Sequence, residues 1–255
     1  VVICPPTFGM YRVYADIQGA RVHEIPLLAD QGYALDADQI TRHWPADGKL
    51  LFLCSPNNPT GNSFPADQIN LLATLLSGRA LVIIDAAYTE FAAEDPTLKL
   101  LESQDNDNII ILRTLSKAFG LAGARCGAML GPADILGMLS CLLPPYAFSS
   151  PTLEAVMASL PDDAQQEMQR RVATLVSERE WLAGELGKIN GVEKVWPSDA
   201  NFLMVSVTDP DGFKSAAEAG GVLIRNFGWQ LPGSLRITVG TREQNEQLIR
   251  SLAKL

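Results

Sequence analysis

Aromatic residues are scarce in this sequence, at 7% of 255 positions, and histidine is scarcer still, with two. His23 and His43 stand apart from every candidate motif, so neither a Ser-His-Asp arrangement nor a histidine zinc site has the spacing it needs. Cysteine is also sparse. Cys4, Cys54, Cys126 and Cys141 lie far apart and form no CxxC pair, which predicts buried, reduced thiols of a cytoplasmic protein rather than zinc ligands or disulfides. Positive charge is in deficit, 20 Lys plus Arg against 29 Asp plus Glu, for a formal net of −9. No Lys/Arg cluster of the density a nucleic-acid binder requires is present, and the acidity serves solubility. Apolar runs stay short of the ~18 residues of a membrane span. The longest candidate, Ile135 to Leu143, is interrupted by Gly137 and Ser140 and stopped by Pro144 and Pro145.

What the sequence does have is 47% hydrophobic residues in a regular arrangement. Short, continuous, β-branched runs at Val22–Leu27, Lys49–Cys54, Ala80–Ile84 and Asn108–Arg113 predict strands covered on both faces, as in a parallel sheet. Amphipathic stretches at Gly9–Gln18, Asp36–Trp44 and Ala66–Leu76 predict helices between them, and hence an α/β fold with right-handed crossovers. The texture changes after Pro144-Pro145. Pro161 to about Ile189 reads as one long helix. Strands Val192–Trp196, Phe202–Val207, Val222–Arg225 and Ser234–Val239 follow, with a helix at Gly212–Ala219. A closing helix opens on Thr241-Arg-Glu-Gln244, a capping-box pattern. The expectation is a large α/β domain over residues 1–160 and a smaller α+β domain over 161–255. Val1 already lies within a strand-like run, Val1-Val2-Ile3-Cys4, so an N-terminal portion of the large domain is expected to be missing.

Polar residues collect where three of the predicted strands end. Lys49–Cys54 runs into Ser55-Pro-Asn-Asn-Pro-Thr-Gly61, Ala80–Ile84 into Asp85-Ala-Ala-Tyr88, and Asn108–Arg113 into Thr114-Leu-Ser-Lys117. Open α/β sheets bind ligands beyond the carboxyl ends of their strands. Taken singly, the first is a turn, Asp85 a helix cap and Lys117 a surface lysine. An amide, an acid and a lysine at three adjacent strand ends are more than turns and caps require. The chemistry that uses such a set is that of pyridoxal 5′-phosphate. A lysine amine bonds to the aldehyde, and a carboxylate keeps the pyridine nitrogen protonated so that the ring acts as an electron sink. Asn58 and Tyr88 suit the ring's 3′-oxygen; Thr114, Ser116 and Arg125 suit the phosphate.

These segments, together with Arg113-Thr-Leu-Ser-Lys-Ala-Phe-Gly-Leu-Ala-Gly-Ala-Arg-Cys-Gly127, resemble the fold-type I aminotransferases. Within them the sequence is similar to the histidinol-phosphate aminotransferases, through Cys4-Pro-Pro-Thr-Phe-Gly-Met-Tyr11 and Leu235-Arg-Ile-Thr-Val-Gly-Thr241. The resemblance runs from the first residue to the last. It implies a mostly parallel sheet flanked by helices, with Lys117 as both the cofactor-bonding lysine and the base of a 1,3-proton shift. Asp85 is implied to pair with the pyridinium, Asn58 and Tyr88 to contact the 3′-oxygen, and Ser116 and Arg125 to hold the phosphate. Phe8 matches the aromatic residue that stacks on the ring, a core phenylalanine being the alternative. Arg236 falls where the family binds the substrate's anionic group, and Arg225 is a second candidate there, or else a surface ion-pair partner.

The implied reaction is transamination of L-histidinol phosphate with 2-oxoglutarate, giving imidazole-acetol phosphate and glutamate, in histidine biosynthesis by a homodimer. The family's N-terminal arm, phosphate-binding glycine turn and intersubunit tyrosine would all precede Val1. Two other outcomes stay open. One is another reaction on the same scaffold, by an aromatic or broad-specificity aminotransferase or a phospho-amino-acid decarboxylase. The other is a chain that folds and associates without turnover.

Overall fold

A computed structural model describes residues 1–102 and 107–255. The first part of the chain alternates strand and helix: β1 Val2–Ile3, α1 Met10–Ile17, β2 His23–Glu24, α2 Ala37–Arg42, β3 Leu50–Cys54, α3 Ala66–Leu76, β4 Leu81–Asp85, α4 Thr97–Glu102, β5 Ile109–Thr114 and β6 Gly127–Leu130. Helices α5 Ala133–Ser140, α6 Ser150–Ala158 and α7 Asp162–Leu186 lead to β7 Val192–Val195, β8 Phe202–Val207, α8 Pro210–Ala219, β9 Arg225–Asn226, β10 Ser234–Thr238 and α9 Arg242–Leu252.

Two sheets result. The first has the order β2-β1-β3-β4-β5-β6 and is parallel except for β6, which runs antiparallel to β5. The continuous apolar runs belong to its centre: Leu51, Leu53, Val82, Ile84, Ile109 and Ile111 are each at most 2% exposed. Burial on that scale stabilises by on the order of 1.5–3 kcal/mol per side chain. The second sheet, β7-β8-β10-β9, is antiparallel. It shares a core of Leu203, Val205, Leu235 and Ile237 with Leu182 and Leu186 of α7, Phe213 of α8 and Leu248 of α9. At the start of α9, Thr241 and Gln244 form the reciprocal capping box read from their spacing.

The structure departs from sequence expectation in places. The run Val22–Leu27 pairs formally only over His23–Glu24. Its N–H groups continue along β1, Ile25 to the Ile3 carbonyl and Leu27 to that of Pro5, but Pro5 and Pro6 have no N–H to return. Val222–Arg225 is not a strand over its length, because the Val222 N–H is taken by the Ala217 carbonyl in closing α8; pairing begins at Arg225. Strand β6 and helices α4, α5 and α6 were not among the expected elements. Of the cysteines, all free, only Cys4 and Cys54 are buried; Cys126 is half-buried and Cys141 exposed. Among the described residues no helix is long and apolar enough to cross a membrane.

Candidate active site

Strands β3, β4 and β5 are neighbours, with Cys54 opposite Asp85 and Asp85 opposite Leu112. Their carboxyl ends therefore bring the Asn58 loop, Asp85 and the Thr114–Lys117 turn to one edge. The Asn58 loop is rigidly tied. Asn57 donates to the Pro6 carbonyl at 2.9 Å and to Thr60 Oγ1 at 2.7 Å, and accepts from Thr7 Oγ1 at 3.0 Å. That fastens the Phe8 segment to the loop. Gly61 closes the loop at φ +85°, where a Cβ would meet Ser198 Oγ at 2.5 Å, so only glycine fits.

Asp85 is largely sheltered. Its Oδ1 accepts from the Ala87 N–H at 3.2 Å and its Oδ2 from the Tyr11 hydroxyl at 2.7 Å. Burial pushes its pKa above the ordinary carboxylate value, while the two donors and the charge of Lys117 pull it back. The Lys117 amine stands 5.1 Å from the centre of the Tyr88 ring. Partial burial, then the charge of Arg236, lower the Lys117 pKa; Asp85 opposes them. Tyr88 is buried against Phe202, edge to face at 5.2 Å, and burial pushes its phenol up to about 12.

Arg236 lies on β10 of the second sheet and reaches across to the first. Its Nη1 donates to Asn58 Oδ1 at 2.7 Å, while its Nε is buried without a partner among the described residues. Taking the amide oxygen leaves the Asn58 NH2 free to donate elsewhere. Burial, with the charge of Arg225, lowers the pKa of this arginine inside an apolar strand. Arg225 is the direct cross-strand partner of Arg236, and the two guanidinium carbons stand 5.3 and 5.4 Å from the centre of the Phe227 ring. Neither arginine has an ion pair among the described residues, so the surface ion-pair alternative for Arg225 is not met. Both line a groove with Lys214 and Thr238.

The remaining expected residues fall around this centre. Thr114 Oγ1 donates to Ser116 Oγ at 2.9 Å and accepts from the Ser116 N–H at 3.1 Å, so the two hydroxyls form one cluster. Arg125 is near enough for its charge to act on Lys117. Its guanidinium, however, is exposed and bonded to the Ala122 carbonyl of its own turn, not to those hydroxyls. Phe8 is 39% exposed and lies edge-on to Tyr11 at 5.5 Å, so it is not a core residue. Two participants escaped sequence reading: Tyr11 as the partner of Asp85, and the contact of Arg236 with Asn58. Tyr11 lies within a quoted motif, but nothing local to it points at Asp85.

A lysine, a carboxylate, an amide and a hydroxyl cluster thus stand together at the strand ends of an α/β sheet, the set that a carbonyl cofactor would use. Comparison with known proteins gives the class. The family model described as "Aminotransferase class I and II" matches residues 1–252. The chain belongs to this family of pyridoxal-phosphate-dependent aminotransferases. A histidinol-phosphate aminotransferase of Xylella fastidiosa is 39% identical over 99% of this chain and 70% of its own length. One of Yersinia enterocolitica is 37% identical over 100% of this chain and 67% of its own. The chain therefore spans about two thirds of the length of these relatives. The crystal structure of the histidinol-phosphate aminotransferase from Clostridium acetobutylicum shares the fold, with a TM-score of 0.89 at 19% identity over 99% of this chain and 76% of that one.

Proposed function

We propose that this chain carries out transamination of L-histidinol phosphate with 2-oxoglutarate, a step of histidine biosynthesis. The observation that carries the reading is the pair Arg225 and Arg236. The two arginines are direct cross-strand partners, the charge of Arg225 acts on Arg236, and neither has an ion pair among the described residues. Like charges so placed repel unless an anion joins them, and a phosphate dianion answers two forks better than a single carboxylate does. The names of the relatives in Xylella and Yersinia point the same way.

The residues present fit pyridoxal phosphate. The amine of Lys117 would bond to it, Asp85 would face the pyridine nitrogen, and Asn58 and Tyr88 would meet the 3′-oxygen. Thr114, Ser116 and Arg125 would hold the phosphate, and Phe8 would lie against the ring. The fit rests on a carboxylate whose two oxygens are already held in place and on an Asn58 amide whose oxygen is occupied, leaving its NH2 to donate. When bound, the cofactor supplies an electron sink for charge developing at the substrate Cα. Lys117 supplies the base: its lowered pKa leaves more neutral amine near neutral pH, and Nζ can take the Cα proton and return it. Arg236 and Arg225 orient the substrate by its phosphate.

A homodimer is the matching assembly. Met138, Leu142 and Tyr146, on α5 and just after it, are 66%, 79% and 93% exposed, which favours burial against a second copy. A cytoplasmic location fits a biosynthetic role.

The test is a panel of amino donors with added pyridoxal phosphate and 2-oxoglutarate, measuring glutamate formed. Histidinol phosphate is expected to exceed both histidinol and phenylalanine. Equal rates with phenylalanine would move the assignment to a broad aromatic specificity, and release of carbon dioxide would move it to decarboxylation. No turnover would leave a chain that folds without activity.

A further inference from the structure

Tyr11 has no place in the roles assigned so far, yet it makes the shortest contact to Asp85. It sits in the first turn of α1, three residues after Phe8, and is buried. Its ring is stacked on Phe52 of β3, with centroids 5.1 Å apart and planes at 23°, and Phe8 meets it edge-on at 83°. Held between those two, the hydroxyl points at Asp85 Oδ2 at 2.7 Å, opposite the Ala87 N–H on Oδ1. Two fixed donors on two oxygens leave the carboxylate no freedom to rotate and one lone-pair direction on each oxygen for a further donor.

We propose that Tyr11 is a positioning residue: its hydroxyl locks the Asp85 carboxylate in orientation and in its ionised form for the pyridine nitrogen of the cofactor. The proposal rests on the cofactor reading above. The groups facing Asp85 come from each neighbouring element: Tyr11 from α1, Cys54 from the end of β3, Tyr88 from the loop after β4, and Lys117 from the turn after β5. Burial raises the pKa of Tyr11, Cys54 and Tyr88, so all three stay protonated near neutral pH. Tyr11 is the one among them within hydrogen-bonding distance of the carboxylate. A permanent donor there favours carboxylate over carboxylic acid against the desolvation that opposes it. The simpler role, packing against Phe52, would need the ring but not the hydroxyl.

Tyr11→Phe separates the two, because it keeps the ring and its stack. In the cofactor-free protein, Asp85 is followed by carbon-13 carboxylate NMR, assigned with Asp85→Asn. Its midpoint is expected at higher pH in Tyr11→Phe than in the unsubstituted chain, with thermal unfolding little changed. With nitrogen-15-labelled pyridoxal phosphate bound, the pyridine resonance should move toward the unprotonated position, and the cofactor should bind about tenfold more weakly. An Asp85 midpoint identical in both proteins would overturn the proposal. Should Tyr11→Phe not fold, the unsubstituted chain still decides: the Tyr11 Cζ resonance must shift with the Asp85 midpoint, and its failure to do so overturns the proposal as well. If the unsubstituted chain binds no pyridoxal phosphate, the proposed function fails, whereas the cofactor-free titration still tests the hydrogen bond.

Discussion

Replacing Arg236 by alanine tests the substrate assignment most directly. Its Nη1 is committed to Asn58, which leaves the Nε and one Nη2 hydrogen as a side-on fork, and Nε is buried without a partner among the described residues. A phosphate received there makes two charge-assisted bonds in a sheltered place. Losing such a contact costs about 2–4 kcal/mol in transition-state binding. At 1.36 kcal/mol per tenfold, kcat/KM for histidinol phosphate should fall by roughly 30- to 900-fold. Asn58 also loses its orienting partner, and that part of the loss should affect every donor equally. The informative quantity is therefore the ratio of kcat/KM for histidinol phosphate to that for histidinol, from steady-state assays of both proteins. The ratio should collapse in Arg236→Ala and recover partly in Arg236→Lys, which restores charge but not the fork. A ratio unchanged in Arg236→Ala would refute the reasoning, since the phosphate would then bind elsewhere.

Three other outcomes are expected. Lys117→Ala should show no visible band fixed by borohydride when pyridoxal phosphate is added; a band unchanged from the unsubstituted protein, mapped to another lysine, would sink the assignment of Lys117. Asp85→Asn should raise the Tm of the cofactor-free protein at pH 7. Burial lifts the folded pKa of Asp85 above the unfolded 3.8, so its ionised form opposes folding at all pH above the folded value and ceases to do so below 3.8. The gain should accordingly shrink as pH falls through that window, and calorimetry showing no gain at pH 7 would contradict the desolvation argument. Gly61→Ala must place a side chain at φ +85° against Ser198, and should lower stability by about 1–3 kcal/mol in urea unfolding.

Much of the molecule could be read in one dimension because its signals are local. Unbroken β-branched runs predict strands wrapped on both faces, and β3, β4 and β5 are such strands to within a residue of their expected ends. Helix α3 and strand β8 coincide with their amphipathic and apolar stretches, and the cap of α9 with its four-residue pattern. Residues placed just past strand ends must come to the same edge of a parallel sheet, which is why the sequence alone groups Asn58, Asp85 and Lys117. Short edge elements were less legible. Strand β6 is four residues long, and among the described residues it pairs with β5 alone. With little apolar patterning of its own, its strand character comes from that pairing.

Fold class, family and the list of candidate site residues are thus written in segments of a few residues each. What no segment contains is the set of contacts that gives those residues their chemistry. Arg236 reaches Asn58 across 178 positions, and Tyr11 reaches Asp85 across 74. The guanidinium of Arg125 turns to the Ala122 carbonyl of its own turn, although the family resemblance implies a phosphate ligand there. Arg225 stands opposite Arg236 only because β9 and β10 pair in that register. Propensity and periodicity act over one or two turns of chain. Hydrogen bonding, desolvation and charge repulsion act through space: the carboxylate is anchored by packing within the first sheet and the arginines are paired within the second, while the Arg236–Asn58 contact and the charge of Arg236 on Lys117 arise only where the two sheets meet.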